Sequence, residues 1–377
     1  MTTVIRSGLM SPHVGLLPLL ALLAGCVTRT ALPASDSLPE VLTALAVRHH
    51  VCAVSVAVIK DRKLAAIVPA RACAAGVAPH ADSVFQAASL SKPVFAYAVL
   101  QLVAQGKLAL DAPIMSYLPQ GYRHRFDPVA AEPSELVTDP RLRQITVRMA
   151  LNHTSGLPAW ASGPLRVASQ PGTAWGYSGE GYMLLQRAVE SVTGQPLDGF
   201  MRDQVFAPLD MRHSDYVWNA SLAGSIVPGT KANGAARKTI GMTSPVAAFS
   251  LHTSAADYAR FLIAVLNDAA LLRQVTDSPA RVDTALGLGW GLGWGIEQSQ
   301  DDLYLWQWGN NPGYRAFAIA SVRTGDGFVM LTNSENGLKL AEPLAERLLP
   351  GERKLFRSTI MDGDILTAVC TSLRICI

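Results

Sequence analysis

The chain has 377 residues, 49% of them hydrophobic, and a formal net charge of +3. That is enough sequence for a large core in one or two domains. The small, dispersed positive balance is not a nucleic-acid-binding signature, so no nucleic-acid partner is expected. The 8 histidines form no His-x-x-x-His pair and the 5 cysteines no Cys-x-x-Cys. No glycine run has a nucleotide-binding spacing after a strand, so neither a metal nor another cofactor is expected.

Arg6 precedes an apolar run at residues 15–23, too short to span a bilayer but fit for a secretory signal. Leu23-Ala24-Gly25-Cys26 follows and resembles the lipobox of bacterial lipoproteins. By that resemblance residues 1–25 are a signal peptide, Cys26 carries the lipid anchor, and residues 26–37 are a tether. Val27 after the cysteine points to the outer membrane, and the anchor would be the only membrane contact. A single basic residue makes a thin leader, which leaves soluble periplasmic export as the alternative.

Residues 52–59 and 64–68 flank the turn 60–63 and read as a β-hairpin. With Arg62 and Lys63 as its two-residue loop, Asp61 faces Leu64 and Cys52 faces Cys73, at a pair of positions where the Cα atoms approach closely. A cross-strand disulfide is then expected in an oxidising compartment, against the alternative of two buried thiols. Pro69 in the second strand leaves room for a register shift.

Residues 85–107, FQAASLSKPVFAYAVLQLVAQGK, organise the rest. Val94, Tyr97, Ala98 and Leu102 give a helical apolar stripe, Pro93 fits a first turn, and Gly106 is a natural stop. Ser89 and Lys92, three apart at the helix start, share a face. Lys92 can take the proton of Ser89 only if it is neutral. Lowering a lysine from about 10.4 to about 7 requires roughly 4.6 kcal/mol, and a helix end supplies only about 0.3–1 kcal/mol. A dry pocket must supply the rest. Alone, the pair also fits a serine-capped helix with a solvated lysine.

From 108 to about 235 the chain reads as helices and long loops, with an amphipathic helix at 181–191 ended by Gly194 and a polar loop at 132–143. Another amphipathic helix covers 254–267. In 287–296 glycine alternates with Leu288, Trp290, Leu292, Trp294 and Ile296, which predicts either a strand with one bare glycine face or an irregular loop. Strands at 303–308, 316–322 and 328–333 and a closing helix at 341–349 complete an α+β pattern, an antiparallel sheet flanked by helices plus an all-helical subdomain. Tyr177, in the turn-rich stretch before the helix at 181, is a candidate proton carrier or a packed aromatic.

Four stretches in this order, FQAASLSKPVFAYAVLQLVAQGKLALDAPI, MALNHTSGLP, QPGTAWGYSGEGYMLLQRAVESVTGQPL and WQWGNNPGYRAF, resemble the serine β-lactamase and penicillin-binding fold. The branch is that of class C β-lactamases, D-aminopeptidases and family VIII esterases. The resemblance implies a β-lactamase/transpeptidase-like domain at 38–355, with sheet parts near 46–85 and 240–350, a helical part at 108–235, and a tail at 356–377 without a role. It makes Ser89 the acyl-enzyme nucleophile, Lys92 its base and Tyr177 the proton relay. It treats residues 152–157 as structural.

Two departures bear on the substrate. The family's Tyr-x-Asn reads Tyr177-Ser178-Gly179, so the side-chain amide that would hold an acylamide is missing. The third motif reads Gln307-Trp308-Gly309, or, one residue on, Trp308-Gly309-Asn310, and no lysine stands in either register. The backbone N–H groups of Ser89 and Asn310 would form the oxyanion hole. Losing a cation that meets a substrate carboxylate costs around two orders of magnitude in binding, which Arg315 could restore with bidentate geometry. The reading is a serine hydrolase of a small ester or amide, with a β-lactam or cell-wall peptide as the β-lactamase or D,D-peptidase alternative. A catalytically weak binder of peptidoglycan fragments or β-lactams is the alternative of another class.

Overall fold

The structure is a computed structural model describing residues 37–73, 77–130, 134–238, 241–299 and 301–361. The expected leader, Cys26, most of the tether and the end of the tail lie outside these residues.

In chain order the elements are α1 (Leu38–Arg48), β1 (Ala53–Lys60), β2 (Lys63–Arg71), β3 (Val84–Gln86), α2 (Ser91–Ala104), β4 (Arg123–Arg125), β5 (Ser134–Leu136), α3 (Val147–Leu151), α4 (Gly179–Thr193) and α5 (Leu197–Met201). Then come β6 (His252–Ser254), α6 (Ala255–Asn267), α7 (Ala269–Thr276), β7 (Ala280–Asp283), β8 (Leu288–Trp290), β9 (Gly295–Gln298), β10 (Leu303–Asn311), β11 (Tyr314–Ser321), β12 (Gly327–Thr332) and α8 (Ala341–Leu348). Eight strands form one sheet in the order β2-β1-β12-β11-β10-β9-β8-β7, with every neighbouring pair antiparallel. This is the expected α+β arrangement of an antiparallel sheet accompanied by helices.

β1 is buried along its length except at Lys60, and β12 is buried throughout, as befits apolar strands with a bonded neighbour on both sides. α6 packs against β1, β2 and β12, and its apolar face is set by Tyr258, Phe261, Leu262 and Val265. Ser254 caps it by accepting the Asp257 N–H. α2 differs from the stripe expected of it. Ser91 to Ala96 are all buried, with Ala98, Val99, Leu100 and Leu102, so it is a core helix apolar on nearly every side. A single hydrophobic core runs from the sheet through α2 to α4 and α6.

The expected all-helical part contains α3, α4 and α5, but also a two-stranded ladder in which Arg123 pairs with Leu136. Its strands are too short for sequence periodicity to register.

The hairpin turns one residue earlier than expected. Asp61 and Arg62 form the loop at φ 49° and 59°, and Lys60 pairs with Lys63. Tertiary contacts hold that conformation: Asp326 Oδ1 accepts the Asp61 N–H at 3.0 Å, and the Gly325 carbonyl accepts the Arg62 N–H at 3.1 Å. A bulge between Val58 and Ile59 then shifts the register, so that Ala53 stands opposite Arg71. Pro69 is accommodated because β2 is an edge strand. Beyond the ladder Cys73 meets Cys52 in a disulfide, with Cα atoms 4.7 Å apart.

The glycine-alternating stretch is neither one strand nor a loop. β8 and β9 are a hairpin around residues 291–294, closed where the Trp294 carbonyl accepts the Gly291 N–H at 2.8 Å. The turn presses onto α2, since a β-carbon at Gly293 would lie 2.3 Å from Ala96 Cβ. Close approach, not a bare face for a ligand, is what the glycine serves there.

Replacing both Cys52 and Cys73 by serine opens a crosslink spanning 21 residues. Urea unfolding should show a loss of about 3 kcal/mol.

Candidate active site

Ser89 sits in a single 3₁₀ turn, Ala88–Leu90, between β3 and α2. That turn is clamped from several sides. The Leu251 carbonyl accepts the Ala87 N–H at 2.8 Å, Ser91 Oγ accepts the Leu251 N–H at 3.0 Å, and the hydroxyls of Tyr216 and Tyr258 donate to the Ser91 and Leu90 carbonyls at 2.6 and 3.1 Å. The clamps hold Ala88 at φ 51°, left-handed backbone that a non-glycine residue adopts only under constraint. The strain falls on the residue before the serine.

Lys92 is fully buried, and its Nζ lies 3.1 Å from Ser89 Oγ and donates to the Ala248 carbonyl at 2.8 Å. Burial pushes its pKa from the ordinary 10.5 down to about 7. With one N–H spent on Ala248, a neutral amine has its lone pair available for the Ser89 proton.

Tyr177 completes the group. Its ring centre is 4.8 Å from Lys92 Nζ, and its hydroxyl also reaches the Ser89 side chain. Burial raises its pKa, which keeps the phenol protonated. The ring is packed among His153, Trp290 and Trp308, with centroids 4.4, 5.5 and 5.1 Å away. His153 also sets the backbone, since its Nδ1 accepts the Ser178 N–H at 3.0 Å and its carbonyl the Gly176 N–H at 2.8 Å. Residues 152–157 thus act as the bed of the tyrosine loop.

On β10, Gln307 lies against the serine turn. Gln307 Nε2 donates to the Ser89 carbonyl and to the Tyr177 hydroxyl, both at 3.0 Å. Trp308 flanks Tyr177. Gly309 lets β10 press against the serine turn, because a β-carbon there would stand 2.3 Å from the Ala87 carbonyl oxygen. Asn310 follows, paired with Arg315 across the β10–β11 ladder.

Arg315 is not among the groups gathered at Ser89. Its Nη1 donates to the carbonyls of Asn311 and Tyr314, both at 2.8 Å, and burial pushes its pKa down to about 10. Gly179 opens α4, donates its N–H to the Ala159 carbonyl and lies under the Trp160 ring. The Cys52–Cys73 bridge lies at the hairpin's open end, beside Gly234. Among the described residues no group of three or more His, Cys, Asp or Glu is placed to hold a metal ion.

Sequence reasoning missed the strain at Ala88, the Ala248 carbonyl and Trp160. None of them carries a local signal, since each matters only through what the fold brings against it. His153 lay within a recognised stretch without an assigned task.

The arrangement has the parts for acyl transfer: a hydroxyl, an amine able to be neutral beside it, and a protonated phenol across from both.

The chain resembles known proteins in both sequence and fold. A family model described as Beta-lactamase matches residues 38–351. Esterase EstB of Burkholderia gladioli is 35% identical over 175 residues, 38% of this chain and 41% of that protein. Penicillin-binding protein 4 of Amycolatopsis lactamdurans is 33% identical over 195 residues, 46% of this chain and 47% of that protein. The chain thus matches less than half the length of either relative. Among solved structures, the D-amino acid amidase of Ochrobactrum anthropi SV3 superposes with a TM-score of 0.66 at 21% identity, covering 83% of this chain and 98% of that one.

Gly309→Val forces β10 away from the serine turn. With folding verified by circular dichroism, kcat/KM on an activated ester should fall about a hundredfold or more.

Proposed function

Because the chain belongs to the Beta-lactamase family, we propose that it is a serine hydrolase working through an acyl-enzyme on Ser89. The observation that carries this is the convergence of Ser89 Oγ, the buried Lys92 amine and the Tyr177 hydroxyl. Lys92 takes the Ser89 proton as the oxygen attacks a carbonyl carbon. That proton passes from Lys92 through Tyr177 to the leaving alkoxide, so both groups end the step as they began, and a water attacking the acyl-enzyme by the same route releases the acid and restores Ser89. The backbone N–H groups of Ser89 and Asn310 serve the oxyanion.

A small ester is the favoured substrate, ahead of a β-lactam or a D-Ala-D-Ala peptide. A neutral carboxamide, Gln307, stands against Tyr177, and Arg315 Nη1 is engaged with two carbonyls of its own turn, so neither of these residues supplies the cation that a substrate carboxylate would meet. An esterase among the relatives supports the same preference. We further infer export to the periplasm with a lipid anchor at Cys26, supported by the lipobox-like stretch and by a disulfide that suits an oxidising compartment.

A fluorophosphonate probe should label the wild type and not Ser89→Ala, and labelling of neither would favour a non-catalytic binder. The sign of the pH dependence follows from Lys92, which must shed its proton to act. Ester kcat/KM should therefore rise with a midpoint near 7 and, with the phenol's pKa raised, stay level to about pH 9. A panel of p-nitrophenyl esters, a chromogenic cephalosporin and D-Ala-D-Ala peptides ranks the substrates. For the anchor, Cys26→Ser should move the protein from the membrane fraction to the soluble periplasm, and soluble protein with Cys26 intact would refute lipidation.

A further inference from the structure

Beside Tyr177 and Tyr182, the Lys92 amine faces the ring of Trp160, on which Phe249 packs. The Trp160 ring centre lies 5.9 Å from Lys92 Nζ, itself 3.1 Å from Ser89 Oγ. Phe249 packs edge-on against that indole with centroids 5.3 Å apart. Both rings are only partly buried, so each keeps an open surface.

The indole is held in place by its neighbours in the chain. Ser178 Oγ donates to the Pro158 carbonyl at 2.9 Å, the Gly179 N–H to the Ala159 carbonyl at 3.0 Å, and the Ala161 N–H to Glu180 Oε1 at 2.8 Å. Three successive residues at the start of α4 thus pin the loop on both sides of Trp160. The benzo edge of the indole lies on Gly179, where a β-carbon would stand 2.5 Å from Cη2 and 2.7 Å from Cζ2 and Cζ3. The ring fills the volume that any side chain at 179 would need. Phe249 is fixed by the segment that offers the Ala248 carbonyl to Lys92, and its own carbonyl accepts Asn311 Nδ2 at 3.3 Å.

We propose that Trp160, with Phe249 behind it, determines acyl specificity, selecting esters of short apolar acids over esters whose acyl group carries an amide. The proposal deepens the serine-hydrolase reading and rests on it. An aliphatic chain gains by leaving water for the two rings. An amide laid on the faces of the same rings gives up its water and meets only π surface there, which translates into about tenfold or greater discrimination.

The test compares kcat/KM for p-nitrophenyl butyrate and for the p-nitrophenyl ester of N-acetylglycine in the wild type, Trp160→Ala, Trp160→Phe and Gly179→Ala. Gly179 is not left-handed, and its alanine methyl displaces the indole without deleting a side chain, so this variant carries the test where Trp160→Ala fails to fold. The wild type should prefer butyrate by about tenfold or more. Trp160→Ala and Gly179→Ala should lose most of that preference, mainly through a higher KM for butyrate, while Trp160→Phe keeps part of it. A butyrate preference that stays within about twofold of wild type in both alanine variants, or a wild type preferring the N-acetylglycine ester, overturns the role of Trp160. Fluorophosphonate labelling of the same samples separates the two layers. An unlabelled wild type overturns the hydrolase reading and the pocket with it, whereas intact labelling with unmoved preference overturns Trp160 alone.

Discussion

A lysine amine sealed away from water is the constraint on which the site depends. Taking Lys92 from 10.5 to about 7 costs roughly 5 kcal/mol, a large share of the 5–15 kcal/mol that typically separates folded from unfolded chains. The sign follows from proton linkage. Between those two pKa values the unfolded chain holds a proton that the native chain has lost, so stability rises with pH across the window and the cost is fully present below it. The core must carry that cost, and α2 shows how it does so. A helix apolar on nearly all sides, wedged among the sheet, α4 and α6, gives one lysine the dry surroundings that a surface helix could not.

The same demand explains the unusual backbone around the serine. The tyrosine hydroxyls of residues 216 and 258, and the exchange between Ser91 and the segment at 248–251, hold the turn before α2 in a conformation that costs energy at Ala88. β10 then closes the cleft from the other side, and only a glycine at 309 allows its backbone to come so near Ala87. Rigid aromatic packing around Tyr177 keeps the phenol where both the amine and the hydroxyl are within reach. Positioning is achieved by close backbone contact and ring packing, with few flexible side chains involved.

Much of this was legible in the sequence because it was local. The Ser89–Lys92 spacing, Pro93 in the first turn, the helix ended by Gly194 and the strands near 303, 316 and 328 depend on neighbours within a few residues. Errors arose where distant segments decided. The hairpin turned at Asp61 because a loop near Asp326 holds it, and the stretch 287–296 folded back on itself because α2 lies beneath it. At Arg315 the interplay is local instead, since the carbonyls of Asn311 and Tyr314 accept hydrogen bonds from its Nη1, which residue type alone does not record. Trp160 was invisible because nothing in its flanking residues records that the space over Gly179 would be its own.

The sheet order has a consequence for biosynthesis. β1 is bonded on one side to β2, which follows it at once, and on the other to β12, Gly327–Thr332, far along the chain. That ladder can close only after the whole intervening stretch has been made, and pairing over such separation is slow. An emerging polypeptide therefore carries β1 with one edge unpaired until Gly327–Thr332 have left the ribosome, whatever is made after them.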